Sequence, residues 1–233
     1  MLKVDPETNR VVNRIPVDSP SGLAFGHGSV WATSAGHGTV SRIDPQTGRV
    51  VAEIEVGRGA VDIAPDERSG AVWVAGLHLQ TYGADFHPED SKDNKLSRVD
   101  PETNRVVAEI PIVANSPEGG ASSVAVGESA VWAQSADGKL FKVDPATNKV
   151  AAMVSVGEWS YPPTPHLAVY GGAVWAMVQT EEFRLVRVDP RTVHVVAYKD
   201  LRPFDIVIAA AGLAAGGGYV WFASGHGLAR VAP

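Results

Sequence analysis

The stretch from Gly28 to Val51, GSVWATSAGHGTVSRIDPQTGRVV, contains the pattern that the rest of the chain repeats. An apolar pair ending in Trp31 is followed by a Gly-rich turn, a short alternating run, an Asp-Pro-x-Thr turn and a Val-rich run. The pattern recurs around four further tryptophans, spaced roughly 40–60 residues apart; they are Trp73, Trp132, Trp175 and Trp221. A repeat of this length indicates one supersecondary unit per copy.

Each copy contains four short runs rich in Val, Ile and Ala, bounded by Gly, Pro, Asp or Asn. In the first copy these runs are residues 22–26, 29–33, 39–43 and 49–56. This composition is typical of strands joined by tight turns, and four strands per repeat with Trp in the second is the pattern of a propeller blade. The chain is therefore predicted to be all-β: one domain, residues 1–233, forming a five-bladed β-propeller with four antiparallel strands per blade.

The two ends of the chain predict how the ring closes. The last residues, 228–233, resemble a third strand of a blade, and residues 2–17 supply an Asp-Pro turn and a fourth strand. We expect the N-terminal strand to complete the last blade, because closure removes unpaired sheet edges. A longer array of six or seven blades is the alternative, since Val231-Ala232-Pro233 and Val4-Asp5-Pro6 read as two copies of one third strand.

Composition and charge exclude several classes of function. The 233 residues have a net charge of −6 and no cysteine. A negative charge without a basic run argues against nucleic-acid binding, and the lack of cysteine excludes disulfides and thiol chemistry. No apolar stretch is long enough to span a bilayer, and no signal peptide is evident. We expect a cytoplasmic protein that acts on a small-molecule substrate, without membrane or nucleic-acid partners.

Function is expected where the copies differ from one another. We call upper face the end of the propeller formed by the loops between second and third strands and by the starts of the first strands. The residue five or six positions past each Trp lies at the tip of such a loop; these residues are His37, His78, Asp137, Glu181 and His226. First strands open at Gly22, Asp62, Ser123, His166 and Gly212.

Radial repetition should bring these positions together around the channel axis. Imidazole nitrogens with a carboxylate oxygen are the donors of a transition-metal site. The predicted ligands are His37, His78, His166 and His226, with Zn as the first choice of divalent metal and Mn or Fe as alternatives. The predicted catalytic carboxylates are Asp62, Glu181 and Asp137, and the other histidines, such as His27 and His194, are read as solvated surface residues.

Two enlarged loops add aromatic residues to the same face. The insertion at residues 77–94 contains Tyr82 and Phe86, and the loop at residues 157–165 contains Trp159 and Tyr161. Loop packing and an apolar rim for a substrate explain these four residues equally well. We predict that they line a substrate pocket.

The repeat Gly-x-Val-Trp followed by Arg-Ile/Val-Asp-Pro-x-Thr resembles bacterial propellers of the virginiamycin B lyase (streptogramin lyase) type. The resemblance covers nearly the whole chain, and it rests on residues that build the fold. It implies a propeller with a metal and with His and Glu at the channel mouth, and a reaction that opens a cyclic depsipeptide by elimination. That lyase has seven blades, so its catalytic residues do not map individually onto this sequence.

Three functions remain open at this point. The first is a metal-dependent hydrolase of an ester, lactone or phosphoester, in which the ion polarises the substrate oxygen and activates a water. The second keeps the metal and makes the reaction an elimination. The third is a non-enzymatic module that binds a partner across the upper face, as many propellers do.

Overall fold

The computed structural model describes residues 1–77, 94–112, 120–157, 166–179, 183–201, 212–224 and 227–233. Every regular element in these ranges is a β-strand. Within them, no helix has the length and apolar character needed to cross a membrane. The repeated short runs of the sequence thus form strands joined by turns.

Four blades are complete four-stranded antiparallel sheets. Their strand orders follow the chain, so each blade is a meander of adjacent hairpins. The first blade contains β3 (Pro20–Gly26), β4 (Ser29–Ser34), β5 (Thr39–Ile43) and β6 (Val50–Glu55). The second contains β7 (Ala60–Asp66), β8 (Ala71–Gly76), β9 (Lys95–Asp100) and β10 (Arg105–Pro111). The third contains β11 (Ala121–Gly127), β12 (Ala130–Ser135), β13 (Lys139–Asp144) and β14 (Lys149–Ser155). The fourth contains β15 (His166–Tyr170), β16 (Ala173–Gln179), β17 (Phe183–Asp189) and β18 (His194–Asp200).

The fifth blade and the N-terminal hairpin complete the architecture. The fifth blade contains β19 (Gly212–Gly216), β20 (Tyr219–Ser224) and β21 (Gly227–Val231), and the hairpin contains β1 (Leu2–Asp5) and β2 (Arg10–Arg14). The inner strands contact one another in the order β3, β7, β11, β15 and β19. The predicted fold class, an all-β five-bladed propeller, is confirmed.

Closure differs in detail from the prediction that the N-terminal strand completes the last blade. Among the described strands, β21 pairs only with β20, and β1 pairs only with β2. The reason lies in the hairpin itself, because β1 leads through the turn at Asp5 into its own fourth-strand partner. To act as the fourth strand of the last blade, β2 would have to pair with β21, but β2 pairs with β1 instead.

In the first four blades, a tryptophan in the second strand packs against the next blade. Trp31, Trp73 and Trp132 are completely buried, and Trp175 is 5% exposed. Trp31 shares a core cluster with Ile63 and Val74 of the second blade, and Trp73 shares one with Val124 of the third. Burial of such large rings gives each blade-to-blade contact much of its free energy.

In the first three blades, a cation at one register position of the third strand links the blade to the next one. Arg42, Arg98 and Lys142 lie over the Trp of their own blade at 5.1–5.6 Å from the ring centroid. Each also donates a hydrogen bond to the prolyl carbonyl of the next blade's Asp-Pro turn; the acceptors are Pro101, Pro145 and Pro190. The cations thus link blades to each other.

Fourth strands share a β-bulge. The register of Arg42 with Ala52 and of Ile43 with Val50 leaves Val51 unpaired, and Val51 is 57% exposed. The same shift occurs in every third-to-fourth strand pair and leaves Val12, Val107, Ala151 and Val196 unpaired. Because the hairpin of β1 and β2 carries this bulge, it is a third and fourth strand in its own right.

Candidate functional site

The five predicted first-strand residues lie at equivalent positions, at the first residue of β15 and β19 and two residues into β3, β7 and β11. Asp62, Ser123, His166 and Gly212 each pair with the residue two positions past the Trp of their blade. Gly22 occupies the corresponding place, where its N–H donates to Thr33 Oγ1 at 2.7 Å. The five positions therefore repeat with the propeller symmetry.

Asp62 joins the second blade to the third. Its Oδ2 accepts hydrogen bonds from Ser123 Oγ at 2.7 Å and from the Val124 N–H at 2.9 Å. Its Oδ1 accepts from the Ile63 N–H at 2.9 Å. Equivalent positions of consecutive blades thus come within hydrogen-bonding distance, and the carboxylate predicted to be catalytic is engaged by three donors of the fold.

Asp137 lies in the turn between β12 and β13, and protein groups also occupy its carboxylate. Its Oδ1 accepts a hydrogen bond from Ser135 Oγ at 2.5 Å, and its Oδ2 lies 3.0 Å from Lys139 Nζ. The side chain is only 9% exposed. These contacts make Asp137 a poorer candidate for a general base, because both carboxylate oxygens already have protein partners.

His37 is exposed at the tip of the turn between β4 and β5. Its Nδ1 lies 3.2 Å from Ser34 Oγ, so one of its two ring nitrogens has a protein partner. A hydrogen bond to the second nitrogen is the arrangement that orients metal-binding histidines. Gly38 makes the tight turn possible, because it has a φ of 70° and a Cβ there would lie 2.6 Å from the Gly57 carbonyl carbon.

His166 is half-buried at the start of β15 and pairs with Met177. Among the described residues, no group of three His, Asp or Glu side chains lies close enough to hold a metal ion. Seven of the predicted site residues lie outside the described residues: the ligands His78 and His226, the carboxylate Glu181, and Tyr82, Phe86, Trp159 and Tyr161.

His27 has a role that the sequence did not reveal. It lies in the turn between β3 and β4 with a φ of 49°, and its Nε2 is 3.1 Å from the Ala71 carbonyl oxygen. Its backbone N–H donates to Glu67 Oε1, and its Nδ1 lies 3.3 Å from Glu67 Oε2. His27 therefore connects the first two blades, and the prediction of a solvated surface residue was wrong.

The opposite, lower face carries a groove between the second and third blades. Its volume is about 590 Å³, and its lining includes Arg68, Arg98, Val126 and Ala146. The two guanidinium groups are held by the walls: Arg68 donates to Ser129 Oγ, and Arg98 donates to the Pro145 carbonyl and to Asn148 Oδ1. A groove of this size matches the volume of small-molecule sites.

The Asp-Pro turns carry the clearest electrostatic signal. In each, the Asp carboxylate accepts hydrogen bonds from the turn, as Asp100 does from the Glu102 N–H at 2.8 Å and the Thr103 hydroxyl at 2.8 Å. These donors, the backbone N–H first, hold the pKa below its ordinary value at Asp5, Asp44, Asp100, Asp144 and Asp189. Each of these aspartates therefore caps its own turn.

Comparison with known proteins supports the architecture. No protein-family model and no curated protein matches the chain. Among solved structures, hydrazine synthase from Kuenenia stuttgartiensis is similar over 95% of this chain and 59% of its own, with a TM-score of 0.66 and 12% identity. BamB from Moraxella catarrhalis is similar over 96% of this chain and 62% of its own, with a TM-score of 0.60 and 16% identity. The chain thus spans less than two thirds of each neighbour's length, and at these identities the likeness concerns the β-propeller fold alone.

Proposed function

We propose that this propeller is a metal-dependent hydrolase that acts on an ester, lactone or phosphoester at the upper mouth of its channel. The observation that carries the proposal is the hydrogen bond between Asp62 and Ser123, which are equivalent residues of consecutive blades. It supports the idea that the positions opening the first strands converge. His166 opens the first strand of the next blade and continues the same series.

The proposed ligands are His37 and His166, with His78 and His226 completing the set. For His37 the contact of Nδ1 with Ser34 Oγ supports this role, because it leaves Nε2 as the metal-binding nitrogen. Neutral imidazole donors suit zinc and related divalent ions. When bound, such an ion polarises a carbonyl or phosphoryl oxygen and lowers the pKa of a bound water.

The carboxylates divide into two groups by their contacts. Asp62 and Asp137 are already engaged by Ser123, Val124 and Lys139, so we assign them to holding the channel mouth in shape. The role of general base then passes to Glu181. The same residue would abstract a proton if the reaction is an elimination, as the resemblance to streptogramin lyases implies.

Metal analysis of protein purified without an affinity tag tests the proposal. We expect about one equivalent of Zn, Mn or Fe per chain, by analogy with single-ion sites of this ligand type. The double variant His37→Ala/His226→Ala should lose the metal and keep its thermal unfolding midpoint. His194→Ala is the matched control, because His194 is an exposed histidine on β18 that belongs to neither equivalent series. A metal-free folded protein would refute the proposal.

A panel of esters, lactones and phosphotriesters, assayed with and without chelator, tests the reaction itself. Turnover that disappears with chelator and returns with Zn supports hydrolysis. A product that carries a new carbon–carbon double bond, detected by absorbance and mass, supports the elimination instead.

The lower-face groove favours a second candidate, a non-enzymatic binding module. A ligand in this groove would contact the walls at Arg68 and Ala146, on the face opposite to the predicted histidine site. A small-molecule library screened by thermal shift should then give hits that Ala146→Trp removes and that His37→Ala leaves unchanged.

A further inference from the structure

The hairpin of β1 and β2 forms the outer half of a blade that stands before the first blade. Its bulge at Val12 identifies β1 as a third strand and β2 as a fourth. Lys3 Nζ donates a hydrogen bond to the Pro45 carbonyl of the first blade at 2.7 Å. Arg98 of the second blade donates in the same way to the Pro145 carbonyl of the third blade, at 2.9 Å. Ile15 packs with Ala32 and Ile43, so this outer half is docked on the first blade.

On the first blade, the apolar side chains of the innermost strand that should face this preceding blade are exposed to solvent. Leu23 on β3 is 61% exposed and Phe25 is 68% exposed. The residues in register with Leu23 in the next three blades are buried, with Ile63 at 5%, Val124 at 5% and Leu167 at 8%. Each of those three lies in a core cluster with the Trp of the preceding blade. Leu23 and Phe25 therefore occupy positions that are interface positions in the next blades, but no Trp of a preceding blade covers them among the described residues.

Lys3 and one edge of β1 also lack partners that their equivalents in the other blades have. In the five blades the cation at this register position lies over the blade's Trp, as Arg42 lies 5.1 Å from the Trp31 ring. Across the described part of the chain, no aromatic ring lies under Lys3. The edge of β1 that would face a second strand has no partner among the described strands, whereas β5, β9, β13 and β17 all pair there.

We propose that the free edge of β1, together with Leu23 and Phe25, binds a two-stranded antiparallel β-segment of a partner polypeptide. The second strand of the segment pairs with β1 and places a Trp against Lys3, and its apolar face covers Leu23 and Phe25. Strand addition of this kind combines main-chain hydrogen bonds with side-chain pockets. One segment with the pattern of the first two strands of a blade would supply the strand beside β1, the ring against Lys3 and the apolar cover over Leu23 and Phe25.

The chain's own β20 is a poorer occupant, whether it comes from the same molecule or from a second copy. Both edges of β20 are already paired, with β19 and β21. Trp221 is already covered by a cation, because the Arg230 guanidinium lies 5.3 Å from its ring. A partner segment whose second strand has a free edge can pair with β1 without first breaking existing strand pairs.

The probe is a backbone-cyclised peptide of residues 121–135, ASSVAVGESAVWAQS, which contains β11 and β12 with Trp132. Cyclisation holds the hairpin, which on its own is marginal in water. Fluorescence anisotropy of the labelled peptide should show saturable one-to-one binding to the full chain. The same peptide with Trp132→Ala should not bind measurably.

Two variants of the protein locate the site. Leu23→Ser/Phe25→Ser should weaken binding by at least about tenfold through lost apolar burial, and Lys3→Ala by about threefold through the lost cation–π contact. Val51→Ser, an equally exposed apolar residue on β6, should bind like the parent and shows that surface apolarity alone is not measured. Circular dichroism of each variant establishes that the fold is kept.

Three results would overturn the proposal. The first is no binding of the peptide, or equal binding to the parent and to Leu23→Ser/Phe25→Ser. The second is light scattering that shows a dimer which the same double substitution dissociates, since a second copy would then be the occupant. The third is an efficient intramolecular disulfide between cysteines introduced as Val4→Cys and Val220→Cys, since β20 of the same molecule would then occupy β1.

Discussion

The contact between Asp62 and the third blade yields the sharpest prediction. Replacing Asp62→Ala removes the acceptor of the Ser123 hydroxyl and of the Val124 N–H. Val124 is 5% exposed and Ser123 is 2% exposed, so water does not readily replace the carboxylate. A buried donor left without an acceptor costs about 1–3 kcal/mol, and a hydrogen bond to a charged group contributes about 1.5–3 kcal/mol. We expect the free energy of unfolding to fall by about 3 kcal/mol.

Urea unfolding followed by Trp fluorescence measures this change. The midpoint of thermal unfolding should fall by about 9 °C, at roughly 2–4 °C per kcal/mol for a chain of this size. Ser123→Ala alone should cost about 1.5 kcal/mol, and the double variant should cost less than the sum of the two, because they share one interaction. Asp18→Ala is the control, since Asp18 is an exposed carboxylate, and it should change stability by less than about 0.5 kcal/mol.

The result that refutes the reasoning is equally clear. A loss below about 1 kcal/mol for Asp62→Ala would mean that the carboxylate does not hold the blades together. If catalytic turnover then disappeared while stability stayed, Asp62 would be the catalytic residue that the sequence suggested. A large loss of stability assigns it to the architecture.

Three further predictions concern the contacts between blades and the hydrogen bonds within the Asp-Pro turns. Arg98→Leu loses the stacking on Trp73 and the hydrogen bonds to the next blade, and urea unfolding should show a loss of about 2 kcal/mol; an unchanged midpoint would contradict the linking role. His27→Ala removes the contact with the Ala71 carbonyl and should cost about 1 kcal/mol, whereas the exposed His194→Ala serves as a neutral reference. The lowered pKa values of the turn aspartates mean that their contribution to stability is present above the unfolded-state pKa of about 4 and is lost as pH falls through the folded-state values. Thermal unfolding between neutral pH and pH of about 3 should show this loss, and Asp100→Asn should reduce it; a midpoint independent of pH would argue against it.

The repeat pattern predicted the fold because it encodes local rules. Trp in the second strand and Asp-Pro-x-Thr before the fourth are set by packing between blades and by turn geometry, and both recur in the sequence at a fixed place. The turn hydrogen bonds of Asp44 and Asp144 form within three residues, so a short stretch of sequence is enough to anticipate them.

The site was harder to predict, because its contacts join residues that are distant in the chain. Asp62 meets Ser123, and His27 meets Ala71, across blade boundaries that no local pattern reports. From the sequence, a carboxylate on the predicted upper face fits a general base and a structural hydrogen-bond acceptor equally well. The two roles are distinguished only by the contacts that the carboxylate makes with the neighbouring blade. The pairing of the N-terminal strand was harder to predict for a related reason: β2 has a fourth-strand sequence, but its partner is β1 of its own hairpin and not β21 of the last blade.

The repeated bulge on the outermost strands has a consequence for the behaviour of the protein in concentrated solution. A regular strand at a sheet border offers an unbroken row of amide and carbonyl groups, onto which a neighbouring molecule can add its own strand. The extra residue at Val51, and at the same place in the other outermost strands, interrupts that row and twists it locally. The circumference of the propeller can therefore display valines to solvent without becoming a template for fibrous assembly.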